Sequence, residues 1–126
     1  MSRPPRQITI LQSFGFALRG IWVVARAERN FQIHLLACVV VTGTAYWLGC
    51  TALEWAILLL TMGFVLVAEA LNTAIEIVVD LVSPEYHVLA GHAKDAAAGA
   101  VLLAAITAVA VAVCILGIPL YQRIVP

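Results

Sequence analysis

The chain is short of charge. Asp, Glu, Lys and Arg make up 11% of its 126 residues, where soluble chains carry about a quarter. With 63% hydrophobic residues and a mean hydropathy of +1.04, that shortage excludes a soluble globular domain. Net charge is zero and no basic block occurs, so nucleic acid is not an expected partner. Cysteine is scarce as well. Cys38, Cys50 and Cys114 sit in or beside apolar runs, spaced neither for a metal nor for a disulfide framework, and read as small buried hydrophobes. No small-residue cleavage site precedes the first apolar run near Ile33, so no signal peptide is expected. Glycine-rich phosphate loops and the common kinase signatures are missing too, which leaves nucleotide binding without a familiar motif.

What is present reads as an all-α membrane protein of one domain, residues 1–126. Met1 to Arg6 form a frayed start. Residues 7–29 are amphipathic: Ile8, Leu11, Phe14, Leu18, Ile21 and Trp22 recur at helical spacing, with Gln12, Arg19 and Arg26 elsewhere. A basic amphipathic helix of this kind lies in the headgroup plane. Three spans follow, at 33–48, 55–82 and 96–116. Phe31, Tyr46 and Trp47 serve as interfacial anchors of the first. Ser83-Pro84 stops the second, Ser83 to His92 forms a polar loop, and Gly117 and Pro119 end the third. Arg3, Arg6, Arg19, Arg26 and Arg29 precede the first span and Lys94 lies at the second loop. Counting basic residues therefore puts the amino terminus and that loop in the cytoplasm.

The polar residues concentrate on the second span. Glu69, Asn72, Glu76 and Asp80 fall within an arc of roughly 80° on one helix face. Charge on such a helix is costly near a bilayer and calls for a function. Taking Trp55 as the outer interface, the helix leaves hydrocarbon near Ala74. Glu69 then lies just under the inner headgroups, and Glu76 about 10 Å further toward the cytosol. Carboxylates and an amide in this pattern suit magnesium bound with phosphates. Lys94, with Asp95 beside it, returns to the same level and can neutralise phosphate charge, and Glu28 is a further ligand candidate. Glu69 is placed to act as general base on a hydroxyl. Two other readings compete: polar residues joining spans into an oligomer, and a carboxylate-lined ion path. The second is disfavoured because the first span offers no facing charge. His87 and His92 form no metal-binding pattern, and His34 reads as an interfacial packing residue. The run Ala96 to Ala100 permits close helix approach.

The stretch Glu69-Ala-Leu-Asn72-Thr-Ala-Ile-Glu76-Ile-Val-Val-Asp80, followed by Ala93-Lys94-Asp95, resembles the signature of the small bacterial integral-membrane lipid kinases, the diacylglycerol and undecaprenol kinase family. The resemblance runs from about Phe14 into the third span. It implies a homotrimer in the bacterial cell membrane, with a surface helix and three spans per protomer and active sites shared between subunits. It also implies ATP-dependent, magnesium-dependent phosphorylation of a lipid alcohol on the cytoplasmic side. By the same resemblance Glu69 is the catalytic base, and Glu28 and Glu76 bind the metal. Phe16, Asn72, Glu85, Tyr86, His87, Lys94 and Asp95 surround ATP, while Phe31, Trp47 and Glu69 meet the lipid. Family members often carry a basic residue near the phosphates where this chain has Thr9 and Gln12, leaving Arg6 and Arg19 as the nearby cations. Arg26 to His34, Glu54-Trp55 and Lys94 to Val101 resemble the undecaprenol branch; Ser83 to Gly91 resembles the diacylglycerol branch. Undecaprenol is thus the expected substrate, with diacylglycerol second.

Overall fold

A computed structural model describes residues 8–125. Arg3 and Arg6 of the expected frayed start, and Gln7, the expected first residue of the surface helix, lie outside the described residues. Within them the chain forms four helices and no strand: α1 (Ile10–Ala27), α2 (Arg29–Leu48), α3 (Ala52–Val82) and α4 (Val88–Ile124). The last three are long and apolar enough to cross a membrane.

Each helix boundary has a local cause. α1 starts in a capping box in which Gln12 N–H donates to Thr9 Oγ1 (3.3 Å) and Thr9 N–H donates to Gln12 Oε1 (3.1 Å). Thr9 and Gln12 are therefore both occupied in starting the helix. α1 and α2 are separated by a single extended residue, Glu28, at φ −99° and ψ 113°. The side chain of Gln32 closes this corner by donating to the carbonyls of Ala25 (3.0 Å) and Arg26 (3.3 Å), two groups that the end of α1 leaves free. Between α2 and α3, Gly49 takes φ 75°, a left-handed cap that a Cβ would disfavour. Thr51 and Glu54 then form a second capping box, with Thr51 N–H donating to Glu54 Oε2 at 2.7 Å.

α3 has 31 residues and is about 46 Å long, against roughly 30 Å of hydrocarbon, so it projects beyond the membrane as its length in the sequence demands. α4 differs from expectation at both ends. It begins at Val88, not near Ala96, because His87 caps it: Leu89 N–H donates to His87 Nδ1 at 3.2 Å. The polar loop is correspondingly shorter. Pro119 lies inside the helix, which continues to Ile124. In apolar surroundings an interrupted helix leaves several peptide groups unpaired, whereas a proline removes one, so proline is a weaker stop here than in water.

α3 and α4 form the most extensive helix pair. Small residues permit it: Ala97 and Ala104 are buried on α4, and Leu58, Val65, Glu69 and Thr73 are buried along one face of α3. A compact core of Ala45, Leu58 and Leu116 closes the end of the bundle remote from the α1–α2 corner. Arg123 lies over the Trp47 ring there, 5.8 Å from its centroid, and ties the end of α4 to the end of α2. Most other large apolar side chains are exposed, as expected of a chain whose solvent is hydrocarbon.

Replacing Gln32 by Leu removes both bonds that close the α1–α2 corner, about 1–2 kcal/mol in all. Limited trypsinolysis should then cut after Arg26 or Arg29 several-fold faster than in the parent protein. An unchanged cleavage rate would show that the corner is held by something else.

Candidate functional site

Glu69 is the centre of the site because of where α3 carries it. It is 2% exposed, the only charged residue buried among those described. Its neighbours on the same face are already committed. Thr73 Oγ1 donates to the Glu69 main-chain carbonyl at 3.1 Å, as hydroxyls on apolar helices commonly do. Asn72 Nδ2 donates to Glu76 Oε1 at 3.1 Å, one turn along. Among the described residues two buried side-chain oxygens are left without an aligned donor, Glu69 Oε1 and Asn72 Oδ1. Buried acceptors in that condition are costly and mark places where a ligand completes the structure.

The nearest group to Glu69 Oε1 is His34 Nε2, from α2, at 3.1 Å. The distance is that of a hydrogen bond, but the ring plane does not aim an N–H at the oxygen, so the contact is close without being aligned. His34 is therefore no interfacial packing residue. It faces the carboxylate from the first span, where the sequence offered no facing charge.

The two carboxylates expected to bind metal are both partly sheltered. Glu76 is half-buried and fixed by Asn72; Glu28 is half-buried at the α1–α2 corner. Among the described residues no three His, Cys, Asp or Glu converge into a cage. Magnesium does not require one, since it keeps several waters and takes one or two carboxylates with substrate phosphates. The unpartnered Asn72 Oδ1 beside the oriented Glu76 carboxylate is an oxygen donor set of that kind, and the residues fit the ion.

The residues expected around ATP fall into two places. Glu85, Tyr86, His87 and Lys94 line one pocket of about 210 Å³ at the α3–α4 loop, together with Asp80 and Ser83. Asp80, which the sequence left without a role, is the ion-pair partner of Lys94. Asp95, next along α4, is exposed and does not line this pocket. His87 is engaged in capping α4. Phe16 lies elsewhere, in an open groove between α1 and α3 formed with Arg19, Gly20, Thr73 and Ile77. Arg19 stacks near the Phe16 ring, 6.0 Å from its centroid. The second place is thus an aromatic and a cation on α1 facing Ala70, Thr73, Ala74 and Ile77 of α3, and Asn72 lines neither place.

The lipid assignments divide similarly. Phe31 is buried in the protein close to the corner where α1, α2 and α3 meet, so it is not presented to lipid. Trp47 is half a bundle away. It lies thirteen positions beyond His34 on α2, about 20 Å along the axis, and packs with Arg123. The structure does not bring it to Glu69. Neither His34 nor Asp80 was given its part by the sequence, because spacing along one helix says nothing about which residue of another helix arrives opposite.

A buried carboxylate without an aligned partner contributes little to stability and is kept for another reason. Glu69→Leu should therefore unfold in detergent at the same temperature as the parent protein or higher, and Asp80→Asn, which opens an exposed pair, should change stability by less than about 1 kcal/mol. Marked destabilisation by Glu69→Leu would instead assign Glu69 to the architecture.

Comparison with known proteins adds a family to this geometry. The model of the prokaryotic diacylglycerol kinase family matches residues 15–116. The undecaprenol kinase of Bacillus subtilis (strain 168) is 44% identical over 110 residues, covering 87% of this chain and 85% of that one. The diacylglycerol kinase of Synechocystis sp. is 48% identical over 117 residues, 92% of this chain and 67% of that one. The diacylglycerol kinase of Escherichia coli (strain K12) is 38% identical over 103 residues, 79% and 82%.

Proposed function

Since the chain belongs to the prokaryotic diacylglycerol kinase family and is a lipid kinase, we propose that it transfers the γ-phosphoryl group of ATP to the primary hydroxyl of a membrane lipid alcohol, undecaprenol in the first place. The observation that carries this reading is the buried Glu69 carboxylate, with one oxygen lacking an aligned donor, a turn from the Asn72–Glu76 pair. In the reaction Glu69 accepts the hydroxyl proton as the lipid oxygen attacks the γ-phosphorus. The bond from that phosphorus to the β,γ-bridging oxygen breaks and ADP leaves. Asn72, Glu76 and Glu28 would hold magnesium, which neutralises phosphate charge when bound. Lys94 supplies a further cation, and the loop pocket with Glu85 and Tyr86 takes up part of the nucleotide. The cytoplasmic orientation, with the loop pocket on the side of ATP, is supported by the basic residues before α2 and at Lys94. A homotrimer with α1 lying on the membrane surface is supported by the family resemblance and by the extensive apolar surface of a single chain.

The substrate rests on two kinds of support. The stretches Arg26 to His34, Glu54-Trp55 and Lys94 to Val101 resemble the undecaprenol branch, and one relative bears that name. The name of the Synechocystis relative favours diacylglycerol as the second reading. Both lipids offer a primary hydroxyl to the same base. Purified protein given γ-labelled ATP and either lipid at matched surface concentration should label undecaprenol several-fold faster. Preference for diacylglycerol reverses the order of the two readings, and labelling of neither refutes transfer to these lipids.

Glu69→Gln should lower turnover by about 10²–10⁴, the usual contribution of a general base, with ATP binding retained. Glu76→Gln should instead raise the magnesium concentration needed for half-maximal rate. Identical behaviour of the two variants would refute this division of labour on α3.

A further inference from the structure

We propose that His34 is the positioning residue for Glu69: its Nε2–H donates to Glu69 Oε1 and turns Oε2 toward the lipid hydroxyl. The inference rests on the reading of Glu69 as general base and adds the group that aims it.

Three observations lead to it. The first is proximity across two spans, with His34 Nε2 at 3.1 Å from Glu69 Oε1. The second is the exhaustion of other donors. Thr73 spends its hydroxyl on the Glu69 backbone carbonyl, Asn72 spends its amide on Glu76, and Oε1 has no aligned partner. The third is the surroundings. His34 lines a cavity of about 150 Å³ between α2, α3 and α4, whose other walls include Cys38, Val41, Leu58, Met62 and Val65. Thr61, also in that largely apolar wall, spends its hydroxyl on the Ile57 carbonyl, and a buried carboxylate needs a donor that His34 stands within reach to supply.

The misalignment of the ring is removed by rotation about its terminal torsion, which is broad for histidine. Catalytic hydrogen bonds are commonly loose before substrate binds and tighten in the complex. The bond serves both protonation states of Glu69. Before transfer Oε1 accepts from His34 as half of a carboxylate; afterwards the proton sits on Oε2, and Oε1 accepts the same N–H as a carbonyl oxygen. No proton passes through His34. What it contributes is a fixed carboxyl plane, and an aimed base is worth much more than a rotating one.

The test compares His34→Leu, His34→Gln and Glu69→Gln in the lipid kinase assay. Leu keeps the bulk and removes the donor; Gln restores an N–H near the position of Nε2. His34→Leu should lower kcat by about 30- to 100-fold with KM for ATP and for lipid within about threefold, and His34→Gln should recover kcat to within about tenfold of the parent. A His34→Leu protein with near-parental kcat overturns the proposal. So does a His34→Gln protein as slow as the Leu variant, which would assign His34 to packing. Glu69→Gln separates the two layers of the reading. If it is inactive while His34→Leu is fully active, only the positioning role fails; if it turns over normally, the general base fails and the positioning role with it. Should the Leu variant not fold, ¹⁵N spectra of the His34 imidazole decide. An Nε2-protonated ring whose signal moves in Glu69→Gln supports the bond, and a signal indifferent to that substitution overturns it.

Discussion

The whole arrangement depends on the cost of keeping one carboxylate out of water. Glu69 is buried on a helix otherwise made of aliphatic side chains, in a chain with few charges to offset it. Removing an ion from water costs several kcal/mol even after relaxation, and attraction to one neighbour seldom repays it. The surrounding residues reduce that cost without eliminating it. Glu76 is stabilised by Asn72, Thr73 satisfies the backbone, and His34 approaches from α2, yet an oxygen is left over. A fold selected for stability alone would place leucine there. The proposed role of Glu69, taking a proton from a lipid alcohol, needs this defect.

The remaining architecture can be read as support for that position. α3 acts as a ruler: Glu69 lies deep, Glu76 about 10 Å further out, and Asp80 about 16 Å from Glu69 along the axis. Small residues on α4 let it lie close against α3, and the single extended residue between α1 and α2 is itself a carboxylate, Glu28. The corner is then closed by Gln32 beside the buried Phe31, which suits a point near the end of the hydrocarbon where free carbonyls would otherwise need water.

Much of this was legible beforehand, and for definite reasons. Hydropathy marks spans because every peptide group in hydrocarbon must be paired within its own helix, so four helices and the overlong α3 followed from pattern alone. The stripe on α3 was legible because helical periodicity fixes angles along one element. Pro119 was misread by the rules of soluble helices, and the start of α4 was missed because a histidine cap has no strong sequence signature. His34 and Asp80 were missed for a deeper reason. Each gains its part from the opposite helix, His34 from Glu69 and Asp80 from Lys94, and such pairings depend on axial stagger, which composition and period do not encode.

The Lys94–Asp80 pair also bears on how the outer part of the site is kept ready. Side chains on a helix lean toward its amino terminus, so Lys94 near the start of α4 reaches toward the loop and meets Asp80, not the deeper Glu76. The pair is largely exposed and worth about 1 kcal/mol or less, which holds the ammonium in the pocket without locking it there. A polyphosphate presents several anionic oxygens to the same ammonium and competes easily with a single exposed carboxylate. The two acids on one helix face thus solve opposite problems. Under the proposed function, a weak, wet ion pair at Asp80 keeps a cation available to a soluble anion, and at Glu69 a dry, incompletely paired carboxylate is kept available to a proton.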